Sequence, residues 1–206
     1  MHVNELLSKY DGFIFDMDGT LVDSMPFHLE GWQVAAQQFG FEFDPLWFYE
    51  LGGVPSRKIA YLIESTQNIK LDVDAVTTLK ANYFLTVLEK AKIFSYAKEL
   101  LPQLARQKPL AVGTGAIRKN TLLILENNQI LDLFTTITTA DDVVYHKPNP
   151  DTFLLSAAKM NVKPSNCLVF EDTEIGLKAA TAAGMDCILI KNGQPDWDHS
   201  YSTLVR

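Results

Sequence analysis

The sequence predicts an α/β fold: a parallel sheet covered by helices on both faces, interrupted by a wholly helical insertion. Three observations lead there. On either side of the middle of the chain, short β-branched and aromatic runs alternate with single helical patterns, the signature of βαβ units. Between about residues 24 and 92 the strand pattern stops and only helical spacing remains, a shift that marks a domain boundary. Polar groups also gather just after the apolar runs, at Asp16, Asp18, Thr114, Lys147, Glu171 and Asp172. Open parallel sheets bind their ligands outside the carboxyl ends of their strands.

The elements follow in order. Phe13-Ile14-Phe15 has the composition of a central strand, and Gly19 lets the backbone turn immediately beyond Asp18. Pro26 can start a helix with Phe27, Trp32, Val34, Ala35 and Phe39 on its buried face and Gly40 as its stop. Helical patterns follow over about 56–65 and 74–90. The core pattern resumes with a helix over 97–107, a short strand from Pro109 to Gly113 delivering Thr114, and a helix over 117–127. A weaker strand over 134–138 leads to Ala140-Asp141-Asp142. Asn149 is expected to cap a helix with Pro150 at its first position. A strand over 167–170 stops at Glu171-Asp172, a helix over 175–183 is closed by Gly184, and a strand follows over 187–190. The expected core is therefore 1–23 with 93–206, and the insertion 24–92, joined near Val22 to Met25 and Ala91 to Ser95. The stretch from Asn192 onward carries no clear pattern.

Composition narrows the function. The chain has 206 residues, 47% hydrophobic and 21% charged, enough for one core with a smaller inserted unit. A net charge of -7 repels polyanions, so nucleic acid is not expected as a partner. Small phosphorylated metabolites remain possible, because a local cation can reverse the field inside a cleft. The start of the chain lacks the pattern of a secretory signal, and no apolar stretch reaches membrane-spanning length, so no membrane association is expected. Cys167 and Cys187 both fall beside strand-like runs and read as buried free thiols, which suits a reducing cytoplasm. No coiled-coil pattern is visible, so a monomer is expected.

Two carboxylates at the end of a buried strand, Asp16 and Asp18, suggest a bound divalent cation. Taken alone, Asp18-Gly19 could equally turn a hairpin with Leu21 and Val22 returning. An EF-hand loop fits poorly, because Gly19 comes too early and no Glu follows at the required spacing. Each downstream group has its own ordinary reading: Lys147 as a solvated lysine, Glu171 and Asp172 as acids in a helix first turn, Thr114 as a turn residue. What favours chemistry is their joint order around one sheet edge.

With Asp16-Met17-Asp18-Gly19-Thr20, Thr114 after an apolar strand, Lys147 before Pro148, and Glu171-Asp172 in that order, the chain resembles the haloacid dehalogenase superfamily phosphatases. The likeness covers nearly the whole chain and is greatest for the β-phosphoglucomutase-like branch, which includes sugar-phosphate phosphatases. It implies a Rossmann-like core with an inserted helical cap domain, and an Mg2+-dependent phosphomonoester hydrolase. By the same resemblance Asp16 is the nucleophile that becomes an aspartyl-phosphate, and Asp18 the general acid and base. Magnesium would take the Asp16 carboxylate, the Asp18 main-chain carbonyl and Asp172, with Glu171 nearby; an all-oxygen set suits that ion. Lys147 would offset the negative charge of the site, and Thr114 with amides near Gly115 would hold phosphate oxygens. In the cap, His28 matches a linker histidine of related sugar-phosphate enzymes. Arg57, after Gly52-Gly53-Val54-Pro55-Ser56, resembles a specificity-loop residue, and Lys80 is a further candidate for the cleft. Asp23, near the first linker, reads as a structural residue.

The resemblance leaves a mutase as the alternative, along with a receiver-type phospho-acceptor and a silent sugar-phosphate binding protein. Mutases of this branch carry a Ser-Lys-Asn type run where this chain has Ala116-Ile117-Arg118, which removes a hydroxyl and an ammonium from any second phosphate site. Arg118 and Lys119 could compensate. A receiver needs neither Asp18 as an acid nor a cap.

Overall fold

The computed structural model describes residues 3–201; residues 1–2 and 202–206 of the expected core lie outside the described residues. After a short helix α1 (Val3–Leu7), strand β1 (Gly12–Phe15) enters the centre of a six-stranded sheet of order β3-β2-β1-β4-β5-β6. The other strands are β2 (Leu110–Gly113), β3 (Thr136–Thr138), β4 (Cys167–Glu171), β5 (Asp186–Lys191) and β6 (Gln194–Tyr201). The first five are parallel, and β6 pairs antiparallel with β5 at the edge.

Alternation along the strands divides the core into two apolar layers, because successive side chains leave a strand on opposite faces. Phe13 and Phe15 of β1, with Leu168 and Phe170 of β4, pack beneath helices α6 (Ser95–Ala105) and α7 (Arg118–Asn127). Ile14, Cys167, Val169 and Cys187 face the other way, against α8 (Asp151–Met160) and α9 (Glu174–Ala182). Phe15 and Phe170 stack across the strands with ring centroids 4.5 Å apart. Both cysteines are buried free thiols, as expected, and burial pushes Cys167 up to about 12.

Helices α2 (Met25–Phe39), α3 (Pro45–Glu50), α4 (Ser56–Gln67) and α5 (Val73–Val87) form the helical block. They enclose an apolar cluster of their own, with Trp32, Phe41, Phe48, Ile63 and Val76 buried. Its two connections run side by side. Val22 and Ile93 form an antiparallel bridge, the Asp23 amide donates to Lys92 O (2.9 Å), and the Phe94 amide donates to Leu21 O (3.0 Å). Asn128, at the end of α7, ties the return connection to the sheet layer. Its Oδ1 accepts from the Ile93 amide (2.8 Å) and its Nδ2 donates to Ala91 O (3.1 Å).

Some local expectations are corrected. Asn149 does not cap α8: its side-chain amide donates to His146 O (3.0 Å), and Pro150 occupies the cap position. The Asp18-Gly19 turn does not open a hairpin, since Val22 is bridged to Ile93 rather than returning along β1. Helix α3 and strand β6 were not expected; α3 is only six residues long, too short for a periodic signal, and β6 is an edge strand interrupted by Pro195.

Candidate active site

Parallel strands deliver the candidate residues to one end of the sheet. Asp16 follows β1, Thr114 follows β2, and Glu171 ends β4 with Asp172 just beyond it. Lys147 arrives on the loop between β3 and α8. Lys147 is 1% exposed, and its Nζ donates to Asp16 Oδ1 (2.7 Å) and Glu171 Oε1 (2.8 Å) while lying 4.5 Å from the centre of the Phe153 ring. Burial would lower its proton affinity, but the two carboxylates outweigh burial and hold the ammonium above the ordinary lysine range. Glu171 has no free oxygen: Oε2 accepts from the Thr173 amide (2.6 Å) and hydroxyl (2.9 Å). Its geometry is that of a residue aiming Lys147.

The loop after β1 is fixed by its own hydrogen bonds. Leu21 and Val22 amides donate to Met17 O, the Gly19 amide donates to Val22 O, and the Tyr96 hydroxyl donates to Thr20 O (2.7 Å). Gly19 has φ +82°, and a side chain there would collide with the Asp172 carboxylate. Thr20 donates to Asp172 Oδ1 (3.0 Å), whereas Asp172 Oδ2 is buried without a partner. Among the described residues Asp16, Glu171 and Asp172 are the one acidic group whose oxygens lie within 4.8 Å of one another. An orphaned buried carboxylate oxygen beside a second acid, with only oxygen donors present, fits a hard divalent cation. Glu171 is the poorest ligand of the three because its oxygens are engaged. Burial, reinforced by Glu171 and Asp18 and opposed by Lys147, pushes Asp16 up to about 7. A bound cation would restore its ionised form.

The Asp18 carboxyl group stands apart from that cluster and faces the helical block. It accepts from Ser24 Oγ (2.5 Å) and lies 3.2 Å from His28 Nε2. His28 in turn meets Lys80 through Nδ1 (2.7 Å) and stacks on Phe84. An ammonium can only donate, so Nδ1 accepts and Nε2 carries the hydrogen given to Asp18. Burial and Lys80 lower the proton affinity of His28, consistent with that neutral tautomer. Burial pulls Lys80 down to about 8, against the pull of Asp18. Burial would raise Asp18, but His28, Ser24 and Lys80 together leave it below the usual carboxylate range.

A cleft of about 490 Å³ separates the sheet end from the helical block and is lined by Asp16, Asp18, Thr114 and Gly115 below and by His28, Arg57 and Lys80 above. The Gly53 loop of the helical block comes down hard on the sheet end: a side chain on Gly115 would strike the Gly53 carbonyl. Thr114 is 1% exposed, and its Oγ1 accepts from the Ala116 amide (3.1 Å), which leaves its own hydrogen to donate. Arg57 lines the cleft, but its guanidinium is paired with Asp74. Asp23 lies outside the cleft, in the first connection to the helical block, where its amide donates to Lys92 O (2.9 Å). Ser24 and Thr173 were missed in the sequence, and Thr20 stood in the first motif without a role of its own, because hydroxyl residues carry no pattern until their partners are placed.

The sequence model of the haloacid dehalogenase-like hydrolases matches residues 13–190. The fructose-1-phosphate phosphatase YqaB of Escherichia coli is 34% identical, over 90% of this chain and 99% of that protein. The β-phosphoglucomutase of Bacillus subtilis is 30% identical, over 88% and 84% respectively. Among solved structures, the β-phosphoglucomutase of Clostridium difficile superposes with a TM-score of 0.80 at 26% identity, covering 89% of this chain and 85% of that one.

Proposed function

The chain belongs to the haloacid dehalogenase-like hydrolase family, and from that premise we propose that it is a magnesium-dependent phosphatase of small phosphorylated sugars or sugar acids. The carrying observation is the convergence of Asp16, Asp18, Lys147 and Asp172 at one sheet end, beneath a cleft roofed by helices. The relatives include a fructose-1-phosphate phosphatase and a phosphorylated-carbohydrate phosphatase.

In this reading the negative charge of an incoming phosphate raises the proton affinity of Asp18, which takes up a proton from solvent. An Asp16 oxygen attacks phosphorus, the bond from phosphorus to the sugar oxygen breaks, and Asp18 gives that proton to the departing oxygen. Water then attacks the aspartyl-phosphate, Asp18 takes the water proton, and phosphate leaves as the Asp16 carboxylate is restored. Magnesium would be held by Asp16 and Asp172, with the Asp18 main-chain carbonyl as the family resemblance implies, and would supply positive charge that offsets repulsion between carboxylates and phosphate. Lys147, aimed by Glu171, does the same from the other side, while Thr114 and the Gly115 amide orient the phosphoryl oxygens. His28 and Lys80 tune Asp18 from the helical block, 24–92, which acts as a cap that excludes water. Arg57 stands at the specificity end of the same cleft.

Hydrolysis is favoured over mutase chemistry by the state of the cations. Arg118 is drawn outward, with Nη2 donating to Asp142 Oδ2 (2.6 Å) and to Ile137 O (3.3 Å), and Arg57 is paired with Asp74. Neither is left to grip a second phosphate. We take the protein to work as a monomer, and its free buried thiols suit the cytoplasm.

The test is phosphate release from a panel of sugar monophosphates, fructose 1-phosphate included, with magnesium. Glucose 6-phosphate appearing from β-glucose 1-phosphate and glucose 1,6-bisphosphate faster than free phosphate overturns the phosphatase assignment. Asp16→Asn is expected to abolish release while leaving the circular dichroism unchanged; undiminished release removes Asp16 as nucleophile.

A further inference from the structure

The wall of the cleft beyond the phosphoryl site is mostly carbon, with Trp32, Phe48, Ile59, Phe84 and Ile124 among its residues. Few polar groups interrupt it, and some of those are engaged. The Thr77 hydroxyl donates to Val73 O (2.7 Å), and the Arg57 guanidinium is held by Asp74. Asn120 is different: its side-chain amide is half-buried, faces the cleft, and has no hydrogen-bond partner among the described residues. Ser56 and Thr78 are similarly free, but both belong to the helical block rather than to the elements that carry the phosphoryl-site residues.

Asn120 sits in the first turn of α7, on the face that also presents Ile117 and Ile124 to the cleft. The same helix follows directly from Thr114, Gly115 and Ala116. It is pinned at both ends, by Asp141 Oδ2 accepting the Arg118 amide (2.8 Å) and by Asn128 binding the return connection. Asn120 is therefore held at a fixed offset from the groups that would hold the phosphate, on a rigid element rather than a loop. A carboxamide offers two donors and one acceptor and no charge, which matches hydroxyl groups and discriminates poorly for a second anion.

We propose that Asn120 determines specificity for the leaving group, hydrogen-bonding the hydroxyls of an uncharged polyol carried on a single phosphate. The proposal rests on the phosphatase reading above and assigns the part of the substrate which that reading leaves open. Buried polar groups that pair with a substrate hydroxyl reject analogues lacking it, whereas an apolar wall cannot.

The experiment compares Asn120→Ala and Asn120→Ser with the wild type on two classes of ester: a panel of hexose and pentose monophosphates, and p-nitrophenyl phosphate, whose leaving group has no hydroxyl. The expected result is a fall of about tenfold in kcat/KM on the best sugar phosphate, the size of one lost hydrogen bond. Release from p-nitrophenyl phosphate should stay within about twofold, with Ser intermediate between Asn and Ala. An equal fall on both classes, or no fall on either, overturns the assignment of Asn120. A wild-type protein that releases phosphate from neither class instead overturns the phosphatase reading and this proposal with it. Matching thermal melts of the variants show that the comparison is made between folded proteins.

Discussion

Replacing Lys147 by Met tests the buried charge cluster most directly. Lys147 Nζ lies 2.7 Å from Asp16 and 2.8 Å from Glu171, and all three side chains are almost entirely out of water. Met keeps most of the aliphatic packing against Phe153 but removes the cation, which leaves two carboxylates buried without an opposing charge. Breaking a buried ion pair by removing one partner costs about 3–5 kcal/mol. For a chain of this size, about 1 kcal/mol moves Tm by about 2–4 °C, so the expected fall is about 6–20 °C. The assay is thermal melting in EDTA at about pH 7.5, so that added cation cannot stand in for the ammonium. The sign with pH follows from the acids. A carboxyl group whose folded pKa lies above its unfolded value carries a penalty that is full above the folded pKa and vanishes below the unfolded one. The deficit of Lys147→Met should therefore shrink as pH falls toward about 5, and Lys147→Met/Glu171→Gln should recover part of it at neutral pH. A variant melting within about 2 °C of wild type in EDTA would refute the claim that this lysine neutralises the cluster.

Two further outcomes follow from the same geometry. Burial pulls Lys80 down to about 8 from 10.5, so the unfolded chain binds the extra proton between those values and stability rises with pH across that window. Relative to Lys80→Met, the wild type should gain up to about 1.4 kcal/mol per pH unit there, read from urea midpoints; a pH-independent difference would contradict the burial of a charged Lys80. Arg118→Ala should leave kcat/KM on sugar phosphates within about threefold and lower stability by about 0.2–1 kcal/mol, because its pairing with Asp142 is partly exposed. A tenfold kinetic loss would mean that Arg118 reaches substrate.

What could be read from the sequence was whatever has a period or an abrupt end. The continuous apolar runs 13–15, 110–113 and 167–170 gave buried parallel strands, and the acids and threonine after them, with Lys147 on the loop after β3, gave the candidate site, because parallel topology sends those ends to one edge. The loss of strand pattern between 24 and 92 gave the helical block. Other features depend on contacts between distant segments. Glu171 reads as a metal ligand in the sequence, and only the fold shows that its oxygens also serve Lys147 and Thr173. Arg118 reads as a possible phosphate clamp until Asp142 is found to hold it. Asn128 is an ordinary helix-end residue in the sequence, and nothing near it announces that it binds a connection 35 residues away. Strand β6 owes its place to pairing with β5 rather than to its own composition.

The Val22–Ile93 bridge bears on how such a molecule can change over generations. The backbone departs from the sheet layer and rejoins it at neighbouring points, so everything between is spliced into one surface turn. Strand order and registry are set by pairings that lie wholly outside that cassette. Selection can thus rework the roof, and with it the repertoire of molecules admitted, while the bond-breaking floor is inherited intact.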